Sequence, residues 1–331
     1  MTSPQLLLLA SLAGSPGSCR YRKCLGRAFS LAAMLALLLA LPSPATHAQA
    51  RSFSFGVIGQ PERAGAGEQS FRKALADSDW DRLAFVVING LKSAAEPCTD
   101  RLYTQRRDLL QEARNTVIVS LAAGDWARCR RDDGSSAAID RLARVREIFF
   151  TEPGSGDASL TVQALSIARQ SATVQFRDYA ENMRWRTGGV LFATVNLPGN
   201  NNHYTADAGR NSEFDDRVIA NRAWMQRLRH AAKQEKARAL VLFVDADPLL
   251  LPKARKGAVA GKHDGYAPFR RQLRELAAQY PGRVLLVHNP QDRDAAPGLA
   301  WRGNLGELVL GPGYTRVTVG PRGAFSIKAE G

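Results

Sequence analysis

Residues 116–129 read TVIVSLAAGDWARC, and this stretch is the strongest indication of the fold class. Its first half is apolar and β-branched, a composition that favours a buried β-strand. A turn at Gly124 and Asp125 ends the apolar run, and Trp126 and Cys129 follow at once. Polar groups at the end of a buried strand are typical of α/β sheets, in which ligands bind at the carboxyl ends of the strands.

Similar apolar runs recur along the chain and predict further strands. They span residues 53–58, 84–88, 190–195, 239–244 and 283–288, with shorter runs near 308–310, 315–319 and 324–327. Apolar residues also recur at helical spacing within 215–235 and 269–280. The alternation predicts a layered α/β sheet in a single domain, residues 51–331, which closes with a C-terminal β-hairpin.

The first fifty residues have the parts of a secretory signal peptide and contain no acid. A basic region precedes an apolar run of about 15 residues, AFSLAAMLALLLALP, and an A-x-A cleavage site ends at Ala50. We therefore expect a signal peptide over residues 1–50 and a periplasmic or secreted mature chain. No later segment reaches the ~18 apolar residues that a membrane span needs, so no span is expected in the mature chain.

The chain is basic, with a formal net charge of +14. Loss of the signal peptide removes four basic residues and lowers this charge to about +10. A basic balance is compatible with anionic partners, but these charges are spread along the chain, and no nucleic-acid recognition motif is present. We expect an anionic ligand or an envelope protein as partner, and no nucleic acid.

Five segments carry a family resemblance. FSFGVIG leads into Gln60-Pro61-Glu62, and FVVINGLKSAAEPC, TVIVSLAAGDWARC, ENMRWRTGGVLFATVNLPGNNN and VLLVHNPQD follow in that order. The set resembles the secreted bacterial branch of the calcineurin-like metallophosphoesterase superfamily. The family's motifs are Gly-Asp-x-Pro, FVVHNGDIKSG before Pro-Cys, GDNEW-x-x-C, Pro-Glu-Asn-x-x-Trp with His-x-x-Gly-Ser-Asn-Asn, and His-Gly-Asp-x-His. The resemblance covers almost all of residues 53–320 and implies a layered α/β sandwich of the metallophosphoesterase type.

The same resemblance implies that three metal-ligand positions are degenerate. Gln60 stands at the family's first Asp, and Asn196 stands at its central His. The segment that begins at Asn89 contains no acid where the bridging Asp is expected. Neutral carboxamides bind cations far more weakly than carboxylates do.

Two further motifs retain possible ligands. In the third motif, either Asp125 is the family's Asp, or Trp126 is the anchor and Ala123 occupies the ligand position. In the last motif, His288 is retained and Asp292 stands at the second His. The surviving groups amount to one weak mononuclear site of Asp125, His288 and Asp292, with His288 the best candidate for a catalytic role.

These departures matter because the superfamily's chemistry uses two metal ions roughly 3.5–4 Å apart to activate water and neutralise the transition state. Without the bridging carboxylate, that mechanism is not expected. The sequence therefore favours an exported protein with a phosphoesterase fold, without catalysis, that binds an anionic ligand or a protein partner. No cofactor is expected beyond one weakly bound divalent metal. The alternative is a phosphoesterase with an atypical mononuclear site.

Cysteines and the remaining polar groups complete the expectations. Cys98 and Cys129 are the pair that remains after signal cleavage, and each follows a core strand, so we expect a disulfide between them in an oxidising compartment. Two free buried thiols are the alternative. Asp245 and Asp247 end an apolar run, and we interpret them as turn residues rather than metal ligands.

Overall fold

The strand that opens the described chain lies inside a five-stranded sheet, because its residues are apolar and can be buried on both faces. A computed structural model describes residues 51–59, 67–151, 165–205, 211–251, 263–291 and 295–330; the predicted signal peptide lies outside them. The first sheet has the order β12-β11-β1-β2-β3. Its strands are β1 (Phe53–Gly59), β2 (Val86–Asn89), β3 (Val117–Ser120), β11 (Gly313–Val319) and β12 (Phe325–Glu330).

Strands β1, β2 and β3 are parallel, whereas β11 pairs antiparallel with both β1 and β12. The β11–β12 pair is the C-terminal β-hairpin that the sequence predicts. The first strand of this hairpin, β11, lies in the middle of the sheet beside β1, where Val319 pairs with Phe53. The first strand of the described chain, β1, is thus adjacent to the penultimate strand, β11.

A second sheet of seven strands has the order β4-β5-β6-β7-β8-β10-β9. Its centre, β6 to β8 and β10, is parallel, and antiparallel strands lie at both edges. The strands are β4 (Ala168–Arg169), β5 (Met183–Thr187), β6 (Val190–Thr194), β7 (Ala239–Phe243), β8 (Arg283–His288), β9 (Gly298–Arg302) and β10 (Leu305–Val309).

Among the described residues, five helices of twelve or more residues accompany the sheets: α1 (Glu68–Asp79), α2 (Asp100–Gln111), α3 (Ala138–Phe150), α4 (Ser212–Gln234) and α5 (Ala267–Gln279). Helices α1 and α2 pack on the outer face of the first sheet through Phe71 and Leu109. Helices α4 and α5 cover the outer face of the second sheet through Leu228 and Leu273. The two inner faces share one core, which α3 joins through Val145. The result is an α/β sandwich with helices outside two mixed sheets.

Strand periodicity assigns each side chain of β8 to one layer of this sandwich. Leu285 and Val287 belong to the core between the sheets. Val284 and Leu286 belong to the core under the helices. By the same alternation, the side chain of His288 belongs to the helix-facing side of the second sheet, and that of Asn289 to the space between the sheets.

The sequence predicts the buried strands and misses the antiparallel strands β4, β5 and β9 of the second sheet. The six long apolar runs correspond to β1, β2, β3, β6, β7 and β8. In the missed β5, buried Met183 and Trp185 alternate with Arg184 and Arg186, so the strand is amphipathic rather than continuously apolar. In the described part of the chain, no helix is long and apolar enough to cross a membrane.

Candidate functional site

The carboxyl ends of parallel strands from both sheets meet at one edge of the sandwich. Hydrogen bonds connect the two sheets at this edge. The side-chain amide of Asn89, which ends β2, donates to the main-chain carbonyl of Val244 at 2.8 Å. The amide nitrogen of Asn289, just after β8, donates to the carbonyl of Asn89 at 3.0 Å. This edge is the place where the sequence predicts a degenerate site.

Asp125 is fully buried here, and its carboxylate accepts hydrogen bonds from the main chain only. One oxygen accepts from the N–H groups of Leu91 at 2.9 Å and Lys92 at 3.2 Å, and the other accepts from Ala122 at 2.8 Å. Burial raises the pKa of Asp125 to about 7, against the opposing effects of the Ala122 and Leu91 amides and the Lys92 ammonium. With three donors already bound, this carboxylate joins two loops and has little capacity left for a metal.

Asp245, which follows β7, has the same role between the sheets. One of its oxygens accepts from the N–H groups of Ala123 at 2.7 Å and Gly199 at 2.8 Å. The other accepts from the amide of Asn289 at 2.9 Å. A Cβ at Gly199 would lie 3.3 Å from Asp245 and 2.7 Å from the side-chain oxygen of Gln291, so a larger residue there would displace the Gln291 side chain. The sequence interpretation of Asp245 as a turn residue understates how many segments it joins.

Three carboxamides occupy the same end of the sandwich. Each amide nitrogen donates to a fixed acceptor: Asn89 to Val244, Asn289 to Asp245, and Asn196 to the carboxylate of Glu181 at 2.8 Å. The side-chain oxygens of Asn89, Asn196 and Asn289 are buried and meet no donor among the described residues. Buried neutral oxygens of this kind suit an ordered water, since they carry no charge to balance a divalent ion.

The carboxylate beside Asn196 already has a cationic partner. Glu181 is almost completely buried and forms a bidentate ion pair with Arg146 of α3, at 2.6 and 2.9 Å. Bidentate Arg–carboxylate pairs are strong and directional. The main chain of Asn196 is also held, because its N–H donates to Asn182 at 2.8 Å.

His288 lies on the other side of the second sheet from this network. Its Nδ1 is 2.8 Å from the carbonyl of Asn289, and its Nε2 is 3.1 Å from a carboxylate oxygen of Glu307 on β10. Burial lowers the pKa of His288, but the Glu307 hydrogen bond, the charge of Asp247 and the Asn289 carbonyl outweigh it and raise the pKa. His288 and Asp125 therefore share no hydrogen-bond partner among the described residues.

Cys98 and Cys129 form a disulfide with a Cα–Cα distance of 5.8 Å. It connects the loop after β2 to the segment after β3, in keeping with the pairing expected from the sequence. The hydroxyl of Tyr103 donates to the carbonyl of Asp125 at 2.8 Å, so α2 is tied to the same segment. The bridge thus holds the loops that Asp125 joins.

A left-handed turn lies on the far side of this segment. The φ angles of Asn200, Asn201, Asn202 and His203 are 61°, 56°, 56° and 55°. Asparagine tolerates this conformation better than other residues with a Cβ, although rarely in a row. Asn201 and Asn202 hold it by hydrogen bonds to residues 263–265, and Arg217 donates to Asn202.

A groove of about 650 Å³ runs between the disulfide segment and the left-handed turn. Its lining includes the cationic side chains Arg128 and Arg130 and the ring of His203, and no carboxylate among the described residues. The lining residues are Ala127, Arg128, Cys129, Arg130, Gly134, Ser135, Ser136, Asn200, His203 and Thr205. We call this the arginine groove. The sequence indicates loops at 130–137 and 197–213 as places for a ligand, but it does not show that they meet, because they are about 70 residues apart in the chain.

The residues at the strand ends do not fit a two-metal centre. Asp125 and Asp245 each already accept three hydrogen bonds, and the third described carboxylate of the network, Glu181, is paired with Arg146. Gln60 and Asp292, named from the sequence, lie outside the described residues. No family model matches the sequence, and no curated protein matches it either.

Proposed function

We propose that this chain is an exported, non-catalytic relative of the calcineurin-like metallophosphoesterases, and that it binds a small anionic ligand in the arginine groove. The sandwich of two mixed sheets and the order of the sequence motifs support the relationship. The observation that carries the binding function is the groove itself, which has cationic walls and no described carboxylate.

The size and chemistry of the groove define the ligand class. Its volume of about 650 Å³ is within the range of small-molecule sites. Arg128 and Arg130 supply positive charge, and Ser135, Ser136 and Thr205 supply hydroxyl groups. Guanidinium groups match the geometry of phosphate and carboxylate oxygens. A phosphorylated or carboxylated sugar-sized molecule has both the charge and the hydrogen-bonding groups that these side chains complement.

The hydrogen bonds at the strand ends support the part of the proposal that concerns the loss of hydrolysis. A two-metal mechanism needs free carboxylates, whereas Asp125 and Asp245 are bound to main-chain amides. The alternative, an atypical mononuclear phosphoesterase of Asp125, His288 and Asp292, is weakened by the separate hydrogen-bond partners of Asp125 and His288.

Calorimetric titration with inorganic phosphate and with glucose 6-phosphate tests the proposal. We expect saturable binding that weakens as salt increases, and a loss of affinity of at least about fivefold in Arg130→Gln, because one charge-assisted hydrogen bond is removed. Arg222→Gln, on the exposed face of α4, is the matched control and is expected to bind as the unmodified protein does.

Two results would overturn the proposal. Equal binding by the Arg130→Gln and Arg222→Gln variants would place the ligand elsewhere. Metal-dependent turnover of a phosphomonoester and phosphodiester panel that collapses in Asp125→Asn would favour the phosphoesterase.

A further inference from the structure

A second polar cluster lies away from the strand-end network and the arginine groove. Among the described residues, Asp247, His288 and Glu307 form a group whose potential ligand atoms all lie within 4.8 Å of one another. Glu307 and Leu305 share one face of β10, and Leu305 packs against the core under the helices. The cluster is therefore on the helix-facing side of the second sheet.

The His288 ring is oriented as a metal-binding histidine usually is. Its Nδ1 lies 2.8 Å from the Asn289 carbonyl, which can only accept, so Nδ1 carries a proton and donates. That contact fixes the ring and directs Nε2 towards Glu307. A histidine that binds a metal ion through one ring nitrogen commonly donates a hydrogen bond from its other ring nitrogen to a main-chain carbonyl.

The two carboxylates have the capacity that Asp125 and Asp245 lack. One oxygen of Asp247 accepts from the N–H groups of Leu249 at 2.8 Å and Leu250 at 3.1 Å, which fixes the carboxylate in a turn. Its other oxygen accepts no hydrogen bond from the described residues. Glu307 contacts His288, and neither carboxylate forms an ion pair with an arginine or lysine in the described part of the chain.

Distance and charge both suit a cation. Ligands on one zinc-like ion, each bound at roughly 2.0–2.2 Å, are themselves separated by roughly 3–3.5 Å. The 3.1 Å between Nε2 of His288 and the Glu307 oxygen matches that separation. Two carboxylates and one imidazole carry net negative charge whether the ring is neutral or protonated. The imidazole nitrogen favours a transition metal over Mg²⁺ or Ca²⁺.

We propose that Asp247, His288 and Glu307 bind one divalent transition-metal ion. The set differs from the predicted site of Asp125, His288 and Asp292, because it contains two carboxylates on the opposite side of the second sheet. The proposal does not depend on the arginine groove.

The test is titration of the EDTA-treated, dialysed protein with Co²⁺, followed by absorption spectroscopy and competition with Zn²⁺. We expect one ion per chain, displaced by Zn²⁺, and at least tenfold weaker binding in Asp247→Asn and Glu307→Gln. The Asn side-chain oxygen can still accept the turn amides, so Asp247→Asn is expected to fold. His230→Gln, at an exposed histidine of α4, and Arg130→Gln are controls expected to retain the metal.

Absence of stoichiometric Co²⁺ or Zn²⁺ binding in the folded protein would overturn the proposal and leave His288 and Glu307 as a buried ion pair. Equal affinity in Asp247→Asn, Glu307→Gln and His230→Gln would also overturn it, because the ion would then be bound elsewhere. Loss of phosphate binding in Arg130→Gln with metal binding retained would separate the two proposals.

Discussion

At the scale of single residues, the same side-chain type has different roles in different surroundings. Asp125 is saturated by main-chain N–H groups, whereas Asp247 uses one oxygen in a turn and keeps the other available. The sequence identifies both as acids at strand ends. It does not reveal which amides will reach them, because those amides belong to loops far away in the chain.

The buried carboxyl of Asp125 is expected to titrate near neutral pH. Because its folded-state pKa is raised to about 7, above an unfolded value of about 4, the protonated form is favoured by folding. Its contribution to stability is thus fully present below about pH 4 and is lost as the pH rises through about 7. A ¹³C NMR titration of labelled aspartate carboxyls should show one midpoint near 7, absent in Asp125→Asn.

A midpoint for Asp125 at or below 4 would contradict this prediction. It would show that the three amide donors stabilise the charged carboxylate more than burial destabilises it.

At the scale of elements, the disulfide is expected to carry a large part of the stability of the strand-end loops. Cys98 and Cys129 are 31 residues apart, and a cross-link over such a loop contributes about 3–4 kcal/mol in the chain-entropy model. Urea unfolding of a Cys98→Ser, Cys129→Ser double variant should show a lower free energy of unfolding by that order. Reduced unmodified protein should match the variant; unchanged stability in both would refute the prediction.

Substitutions in the left-handed turn are expected to change stability according to the residue introduced. The side chain of Asn200 is exposed, and its φ is 61°, a conformation that glycine adopts freely and β-branched residues resist. We expect Asn200→Gly to be neutral or slightly stabilising and Asn200→Val to cost about 1–2 kcal/mol. Thermal unfolding compares the two. Equal melting temperatures would mean that the turn relaxes without cost.

How far the elements can be read from the sequence depends on how they are buried. Strands such as β7 are buried on both faces, so their continuous apolar runs predict them. Strand β9 mixes apolar, glycine and charged positions and is missed. The site is less predictable: the sequence names Asn89 and Asn196, and the structure places both at the strand ends, but which side of the second sheet His288 faces depends on its parity along β8.

At the scale of the whole molecule, the first sheet depends on the C-terminal hairpin. Tyr314, Val317 and Val319 of β11 are almost completely buried, and the strand pairs with all of β1. We expect a chain that ends at residue 311 to lose cooperative unfolding, because β1 would expose an unpaired edge and apolar core side chains.

A chain that ends at residue 322 is the matched control, because it keeps β11 and loses only the edge strand β12. It is expected to fold with reduced stability. Circular dichroism with urea titration distinguishes the two variants. Cooperative unfolding of the shorter chain would show that β11 is dispensable.

The pairing of β1 with β11 also determines when the first sheet can be completed during synthesis. The partners Phe53 and Val319 are 266 residues apart in the chain, so β1 leaves the ribosome long before β11 and cannot pair with it until the intervening residues have been made. Until then, β1 has only β2 beside it. Its other edge has unpaired N–H and C=O groups that can pair with another chain. Slow completion of this sheet is therefore the step at which nascent chains would associate with one another or with a chaperone.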